Sequence, residues 1–500
     1  MPKTQAANPL PLGTANLGAV APDVVVPTYD RHALRPGIVH IGVGAFHRAH
    51  QAFYLDKLLS QGEAQEYAIC GVGLLPGDTR MRDALVPQQG LYTLVERSSA
   101  ADRARVVGSM IEYLHAPTER EAVLDRMAAP ECRIVSLTVT EGGYCFNQGT
   151  GEFDPQHPDI VHDLAHRDAP VGLYGFLTEA LRRRRARGLA PFTVLSCDNI
   201  EHNGDVARTM LLAFVGRLDP DLADWIARYG AFPNCMVDRI TPATTDADRT
   251  FVAERFGIVD AWPVVCEPFT QWVIEDRFPA GRPAWEHAGA LFTSDVKPYE
   301  KMKLRLLNAS HIGIGYLGNL AGYTYVHEVM GDPLFERFVR AFMDEVTPLV
   351  GNVPGIDLAG YKETLVERFG NTAVKDTTAR LCQHGSARVP KFVLPSALEL
   401  NARGGRSIHT ALVVAGYLRY LQGDGEHGEP LPLIDPLAEH LRTLARSARD
   451  NPGLVLEGCP EVFGTELPRA TAFVEQLATV LRELNADGVK ATLQRHLDAG

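Results

Sequence analysis

Short apolar runs alternate with stretches of helical periodicity over the first 300 or so residues. Ile38-Val39-His40-Ile41 runs directly into Gly42-Val43-Gly44, and residues 48–59 carry apolar positions at helical spacing, a strand, tight-turn, helix pattern. Further strand-like runs lie at 67–72, 91–96 and 105–107, with stronger ones at 134–140 and 192–196. Residues 237–240 and 264–267 add two more, and helical stretches such as 172–187 separate several of them. Strands that alternate with helices predict a mostly parallel sheet with both faces covered. The pattern changes near residue 295. Amphipathic segments then follow one another at 302–318, 333–347, 361–368, 394–402, 408–421, 436–446 and 469–497, punctuated by Val353-Pro354-Gly355 and Gly423-Asp424-Gly425.

The chain therefore reads as an α/β N-terminal Rossmann-like domain with a mostly parallel sheet, residues 1–295, followed by a mostly α-helical C-terminal domain, residues 296–500. Residues 1–35 read as a proline-rich, irregular lead-in. At 500 residues, two large domains are the natural expectation. The net charge of −12 argues against nucleic-acid binding. The one dense basic run, Arg182-Arg183-Arg184-Arg185-Ala186-Arg187, ends a helical pattern, where cations suit the helix dipole and a solvated terminus is expected. Eight cysteines stand singly, with no CxxC pair and no zinc-like spacing, so no metal site is expected and a reducing compartment is. The first residues lack a charged segment followed by a long apolar one, so no secretory leader is expected, and no apolar run of about 18 residues occurs to span a membrane. A cytoplasmic protein without membrane contact is the expectation.

Gly42 and Gly44 fit the first two places of a dinucleotide fingerprint, where the backbone turns sharply and approaches a pyrophosphate; the third place holds His47. Asp78, beyond the second strand, has the chemistry to accept hydrogen bonds from a ribose 2′-hydroxyl and favour NAD over NADP, although Pro76-Gly77-Asp78 also reads as a plain turn. Thr140-Glu141-Gly142-Gly143-Tyr144 and Ser196-Cys197-Asp198-Asn199 follow two strands, at ends where ligands gather in open α/β sheets. Asn199 there suits a donor to a developing alkoxide, or a turn former. Asp238 and Lys391 are lone charges beside apolar runs and read first as structural. In Lys303-Leu-Arg-Leu-Leu-Asn308-Ala-Ser-His311 an amine, a carboxamide and an imidazole fall within an arc of about 140° on an α-helix. That set suits moving a proton on or off an alcohol while holding its oxygen, or forms a solvated polar face.

Gly42-Val-Gly-Ala-Phe-His-Arg-Ala-His-Gln51, Thr140 to Tyr144, Ser196 to Asn199, Asp238-Arg-Ile-Thr-Pro242 and Lys303-x4-Asn308-x2-His311 recur in this order in a known family. The chain resembles the polyol-specific long-chain dehydrogenases over roughly residues 20–495. The resemblance implies metal-free, NAD-dependent interconversion of a small polyol and its ketose. D-mannitol and D-fructose come first; D-arabinitol, D-sorbitol and fructuronate or mannonate are the alternatives. By position it makes Lys303 the general acid/base, Asn199 and Asn308 the oxyanion-stabilising pair, and Glu300 a proton relay. His311, Asp238, Arg380 and Lys391 would contact substrate. Gly42, Gly44, Ala45, Phe46, Asp78 and Glu141 would serve the cofactor. His47 at the third glycine place is the family's own pattern, and the resemblance leans toward a monomer.

Overall fold

A computed structural model describes residues 9–147, 151–405 and 407–499. The chain divides into two compact units, Met1–Val296 and Lys297–Gly500.

The first unit is built around five strands: β1 (Ile38–Ile41), β2 (Ile69–Gly73), β3 (Met110–His115), β4 (Ile134–Leu137) and β5 (Thr193–Ser196). They lie in the order β3-β2-β1-β4-β5, and every neighbouring pair is parallel. Strand alternation sends Ile38, Ile69, Ile134 and Leu195 to one core, and Val39, Ile41, Cys70, Val72, Val135, Leu137 and Val194 to the other. Both faces are buried, which is why the strands read as continuous apolar runs. The order reverses between β1 and β4, so the segments leaving those two strands flank the place where such sheets bind ligands.

Beside this sheet, Tyr92–Arg97 and Asp102–Val107 form an antiparallel hairpin, extended by Val264–Cys266 on one edge and Val24–Val25 on the other. Three further strands, β6 (Cys235–Asp238), β7 (Gln271–Glu275) and β8 (Leu291–Thr293), make a small mixed sheet. The helix expected at 48–59 is two, α1 (Ala45–Ala49) and α2 (Gln51–Ser60), broken at His50 by φ −122° and ψ −89°. Helix α2 is tied to the hairpin by Asp56, a fully buried carboxylate. Asp56 accepts hydrogen bonds from the Tyr29 hydroxyl at 2.6 Å, the Gly108 N–H at 2.9 Å and the Arg105 guanidinium at 2.8 Å.

Some expectations need correction. The strands β3, β7 and β8 were not foreseen. The lead-in is not wholly irregular, since Leu10–Pro11 pairs with Ile258–Val259 and Val24–Val25 joins the hairpin sheet; residues 1–8 lie outside the described residues. The basic run is not uniformly solvated. Arg184 is buried and donates to the carbonyls of Ala190, Ala129 and Cys132, so its hydrogen-bonding capacity is met by backbone rather than by water.

The second unit is helical. It begins with α3 (Lys297–Met302), a π-helical turn over Lys303–Asn308, and α4 (Ala309–Leu320). Then come α5 (Pro333–Val350), α6 (Thr378–Leu381), α7 (Ile408–Leu421), α8 (Ala438–Ala448), α9 (Pro452–Gly458), α10 (Pro460–Phe463) and α11 (Thr471–Asp498), with other helices between. Helix α4 is buried on nearly every side, which only a packed centre allows. A Cβ on Gly315 would lie 2.7 Å from Leu381 Cβ, so glycine there lets α6 press against α4. Glu345 of α5 caps the start of α7, accepting from the Thr410 N–H at 2.8 Å, the Thr410 hydroxyl at 2.7 Å and the His409 N–H at 3.0 Å. Among the described residues no helix is long and apolar enough to cross a membrane.

Removing the Asp56 carboxylate would strand a guanidinium and two further donors in the interior. Asp56→Ala is expected to destabilise the first unit by about 3–5 kcal/mol, read as a lower urea midpoint at unchanged slope; a loss under about 1 kcal/mol would show that the ties are dispensable.

Candidate active site

The glycine turn leaves β1 at its carboxyl end. Gly42 has φ +94°, and a Cβ there would lie 2.2 Å from the Thr138 carbonyl oxygen, so no other residue fits. The Thr138 hydroxyl donates to the Gly42 carbonyl at 2.6 Å, joining the turn to the end of β4. Gly44 then caps α1, which carries Ala45 and Phe46, both half-buried. A backbone this bare, opening a helix at the switch point of a parallel sheet, fits a dinucleotide pyrophosphate.

His47 shows why a third glycine is unnecessary. Its ring stacks flat on His40 of β1, with centroids 3.3 Å apart and planes 11° apart, and both rings are fully buried. His40 meets Thr138 Oγ1 at 2.9 Å through Nε2 and Ser136 Oγ at 2.8 Å through Nδ1. Since Thr138 spends its own proton on Gly42, Nε2 donates, and in a ring that burial keeps neutral Nδ1 then accepts. Burial pushes the His40 pKa down to about 3, and burial, with the neighbouring His40, holds His47 well below its ordinary value. A flat uncharged pair thus supplies the close helix–strand contact.

The two other strand ends are fastened to each other by Asp198. This buried carboxylate accepts from the Val139 N–H at 3.0 Å, the Thr140 N–H at 2.8 Å and the Tyr144 hydroxyl at 2.7 Å. The clamp holds Thr140 at φ +62° and ψ 170°, a region costly for any residue with a side chain, and leads into the short turn Glu141–Tyr144. Burial raises the Asp198 pKa, and the hydrogen bonds it accepts oppose that rise. Asn199, next in the chain, is exposed, and Asp238 at the end of β6 is buried. Asn203 ties the β5 end to β6, donating to the carbonyls of Asp198 at 3.0 Å and Cys235 at 2.8 Å. Sequence reasoning did not single out Asp198, Asn203 or His40; the available signal was a polar side chain inside or just past an apolar strand. Asp78 is half-buried and caps its own turn, accepting from the Leu75 N–H at 2.9 Å.

In the second unit, Glu300, Lys303, Asn308 and His311 are all buried, at 5%, 7%, 6% and 7% exposure. The α-helical reading of this segment is corrected in one respect. Over Lys303–Asn308 the ladder is π-helical, with the Ala309 N–H reaching the Leu304 carbonyl five residues back. A wider turn moves residue i+5 toward residue i, so Lys303 and Asn308 come closer to one face than about 140° on an α-helix would allow. The solvated-face alternative is excluded by the burial. The neighbouring cations look elsewhere: Arg305 reaches Glu399 at 2.6 Å and Lys301 lies 3.9 Å from the same carboxylate. Asn308 Oδ1 and His311 Nε2 are buried acceptor or donor atoms without a protein hydrogen-bond partner, the kind of group that a polyhydroxylated ligand satisfies. The His311 ring packs 4.6 Å from Phe369, and burial pushes its pKa down to about 3 against the opposing pull of Asp376. Arg380 is half-exposed and grips Asp376 through two contacts of 2.5 Å each; Lys391 is exposed on the helix Gly385–Phe392.

A dinucleotide-type α/β unit and a helical unit with a buried Lys–Asn–His wall define a nucleotide-dependent dehydrogenase class. Residues 36–287 match the mannitol dehydrogenase Rossmann domain and residues 295–485 the mannitol dehydrogenase C-terminal domain. The chain belongs to the mannitol dehydrogenase family. It is 47% identical to the mannitol 2-dehydrogenase of Aspergillus fumigatus, across 98% of this chain and 100% of that protein. The solved Pseudomonas fluorescens mannitol 2-dehydrogenase, a ternary complex with NAD and D-mannitol, is 47% identical with a TM-score of 0.90, covering 98% of this chain and 100% of that one. A D-sorbitol dehydrogenase in substrate-free form is 34% identical with a TM-score of 0.88, covering 97% and 100%.

His40 and His311 give the protein an acid limit. Between about pH 3 and 6.5 the unfolded chain binds protons that the folded rings refuse. Stability is therefore complete above the upper value and is lost as pH falls toward the lower, by up to about 1.4 kcal/mol per pH unit for each ring. Urea unfolding between pH 7 and 5 is expected to show this slope, and His311→Gln a shallower one for the second unit; parallel slopes would show that His311 does not titrate on unfolding.

Proposed function

We propose that the protein oxidises D-mannitol to D-fructose with NAD, and catalyses the reverse reduction, without a catalytic metal. The observation that carries this is the buried Lys303–Asn308 turn in a chain nearly half identical, end to end, to an enzyme solved with NAD and D-mannitol. Bound NAD supplies the hydride acceptor. The residues of this chain manage the proton and the oxygen. Lys303, as the neutral amine, takes the hydroxyl proton during oxidation and returns it during reduction, and Glu300 relays it to solvent. Asn308 and Asn199 donate carboxamide N–H groups to the oxygen as negative charge builds, a contribution of about 2.7–4 kcal/mol for a donor of this kind. The unpartnered Oδ1 of Asn308 remains to accept from a substrate hydroxyl.

His311, uncharged, is suited to exchange hydrogen bonds with a neutral polyol, and Asp238, Arg380 and Lys391 complete the substrate contacts. Gly42, Gly44, Ala45, Phe46 and Glu141 serve the cofactor. Asp78 accepts from the ribose hydroxyls and disfavours a 2′-phosphate. We assign residues 1–295 to the cofactor and 296–500 to the substrate, and infer a monomer of the cytoplasm, in keeping with eight free, buried cysteines.

A panel of D-mannitol, D-arabinitol, D-sorbitol and D-mannonate, followed by NADH absorbance, is expected to give the highest kcat/KM with D-mannitol. A higher value for D-sorbitol, the substrate class of the second solved relative, would move the assignment, and no turnover with any would end it. Lys303→Ala is expected to lower kcat by about 10²–10⁴-fold with NADH affinity, read by fluorescence, within a few-fold of the original. Near-normal turnover would remove Lys303 from the proton transfer.

A further inference from the structure

The second unit holds another chemical cluster that the reaction does not use. His440 lies on α8, and Cys459 and Glu461 bracket the start of α10. Their ligand atoms, one nitrogen, one sulfur and one oxygen, all lie within 4.8 Å of one another. Close packing creates the cluster. A Cβ on Gly458 would meet Leu444 Cδ2 at 2.8 Å, so the glycine lets the end of α9 press on α8 and sets His440 beside residues 458–461. The imidazole is also oriented, with Nε2 3.1 Å from the Gly458 carbonyl. A carbonyl only accepts, so Nε2 carries a proton there. A hydrogen bond from a ring nitrogen to a carbonyl is a common way of orienting a metal-binding imidazole. Cys459 is fully buried, while His440 and Glu461 are exposed, so the cluster is closed beneath and open to solvent above.

We propose that His440, Cys459 and Glu461 bind a divalent ion of the zinc class, with water in the remaining position. Thiolate, imidazole and carboxylate together favour a borderline ion over the hard, oxygen-seeking calcium or magnesium. On binding, the Cys459 S–H bond breaks, its proton leaves to solvent, and sulfur, nitrogen and oxygen each donate a lone pair; nothing is oxidised or reduced. The bound ion pins α8 to α10. None of the three residues has a part in the proposed hydride transfer, so this site and the metal-free chemistry are independent.

The full-length protein, stripped with EDTA and exchanged into chelator-free buffer, is titrated with Co²⁺. One equivalent is expected to bind, giving tetrahedral d–d absorption and an intense near-ultraviolet thiolate-to-cobalt band, both displaced by Zn²⁺. Cys459→Ser should abolish the near-ultraviolet band. His440→Ala and Glu461→Gln, both at exposed positions, should each weaken Co²⁺ binding by about tenfold or more while mannitol oxidation stays unchanged. The absence of a thiolate band in the original protein, its survival in Cys459→Ser, or equal affinity in the His440 and Glu461 variants would overturn the site.

Discussion

The hydrogen-bond ladder that widens by one residue between Lys303 and Asn308 is the constraint on which the second unit's chemistry rests. Helix α4 cannot rotate to bring its polar residues round, because it is enclosed on nearly every side and pressed by α6 at Gly315. The phase change must therefore occur before α4 begins, and the π-helical turn absorbs it. The same turn leaves Lys301 and Arg305 free to reach Glu399 on another side. Three cations within five residues are thereby sorted, with only Lys303 kept from water. In the proposed mechanism this sorting matters, because a proton-transfer amine must be able to lose its charge, whereas its neighbours are stabilised by keeping theirs.

The first unit solves a related problem with a different device. A parallel sheet brings three strand ends to one edge, but bare ends are loops, and loops move. Asp198 ties the β4 and β5 ends together, Thr138 ties β4 to the Gly42 turn, and Asn203 ties β5 to β6. These are side chain-to-backbone bonds at buried or half-buried positions, and leaving a fully buried one such as those of Asn203 unmade costs roughly 1–3 kcal/mol. The strained Thr140 conformation persists because both its own N–H and that of Val139 are held by one carboxylate.

Much of this was legible in the sequence, for reasons that also explain what was not. Strands β1, β4 and β5 were readable because both faces are buried and their runs are unbroken. Strand β3 was missed because Glu112 interrupts it and the edge position tolerates polar residues. Gly42 was legible as a turn, since a glycine pair after an apolar run has few other uses. Lys303, Asn308 and His311 stood out by type and spacing, yet the π-helical turn has no signature of its own, because the hydrogen-bond register is set by what encloses α4. Asp198 and His40 carried only a local signal, and their partners, 58 and 96 residues away, emerge only once the strands are side by side. Arg184 shows the converse error: a cation in a basic run looked solvated until the fold supplied carbonyls for it.

Neutral histidine links the two units in kind. His40 and His311 are each kept uncharged by burial, one beneath the glycine turn and one on the wall with Asn308. Under the proposed mechanism the polyol bears no charge, so a neutral imidazole would give and accept hydrogen bonds without adding a cation beside an amine that must itself discharge. A glutamine would hydrogen-bond as well, but it lacks the flat face that stacks on His47 or packs on Phe369. Enclosing a titratable ring means that acid favours the unfolded chain, which can protonate it. The acid limit of the fold and the uncharged character of the site are therefore two consequences of the same burial, and relief of one by mutation should alter the other.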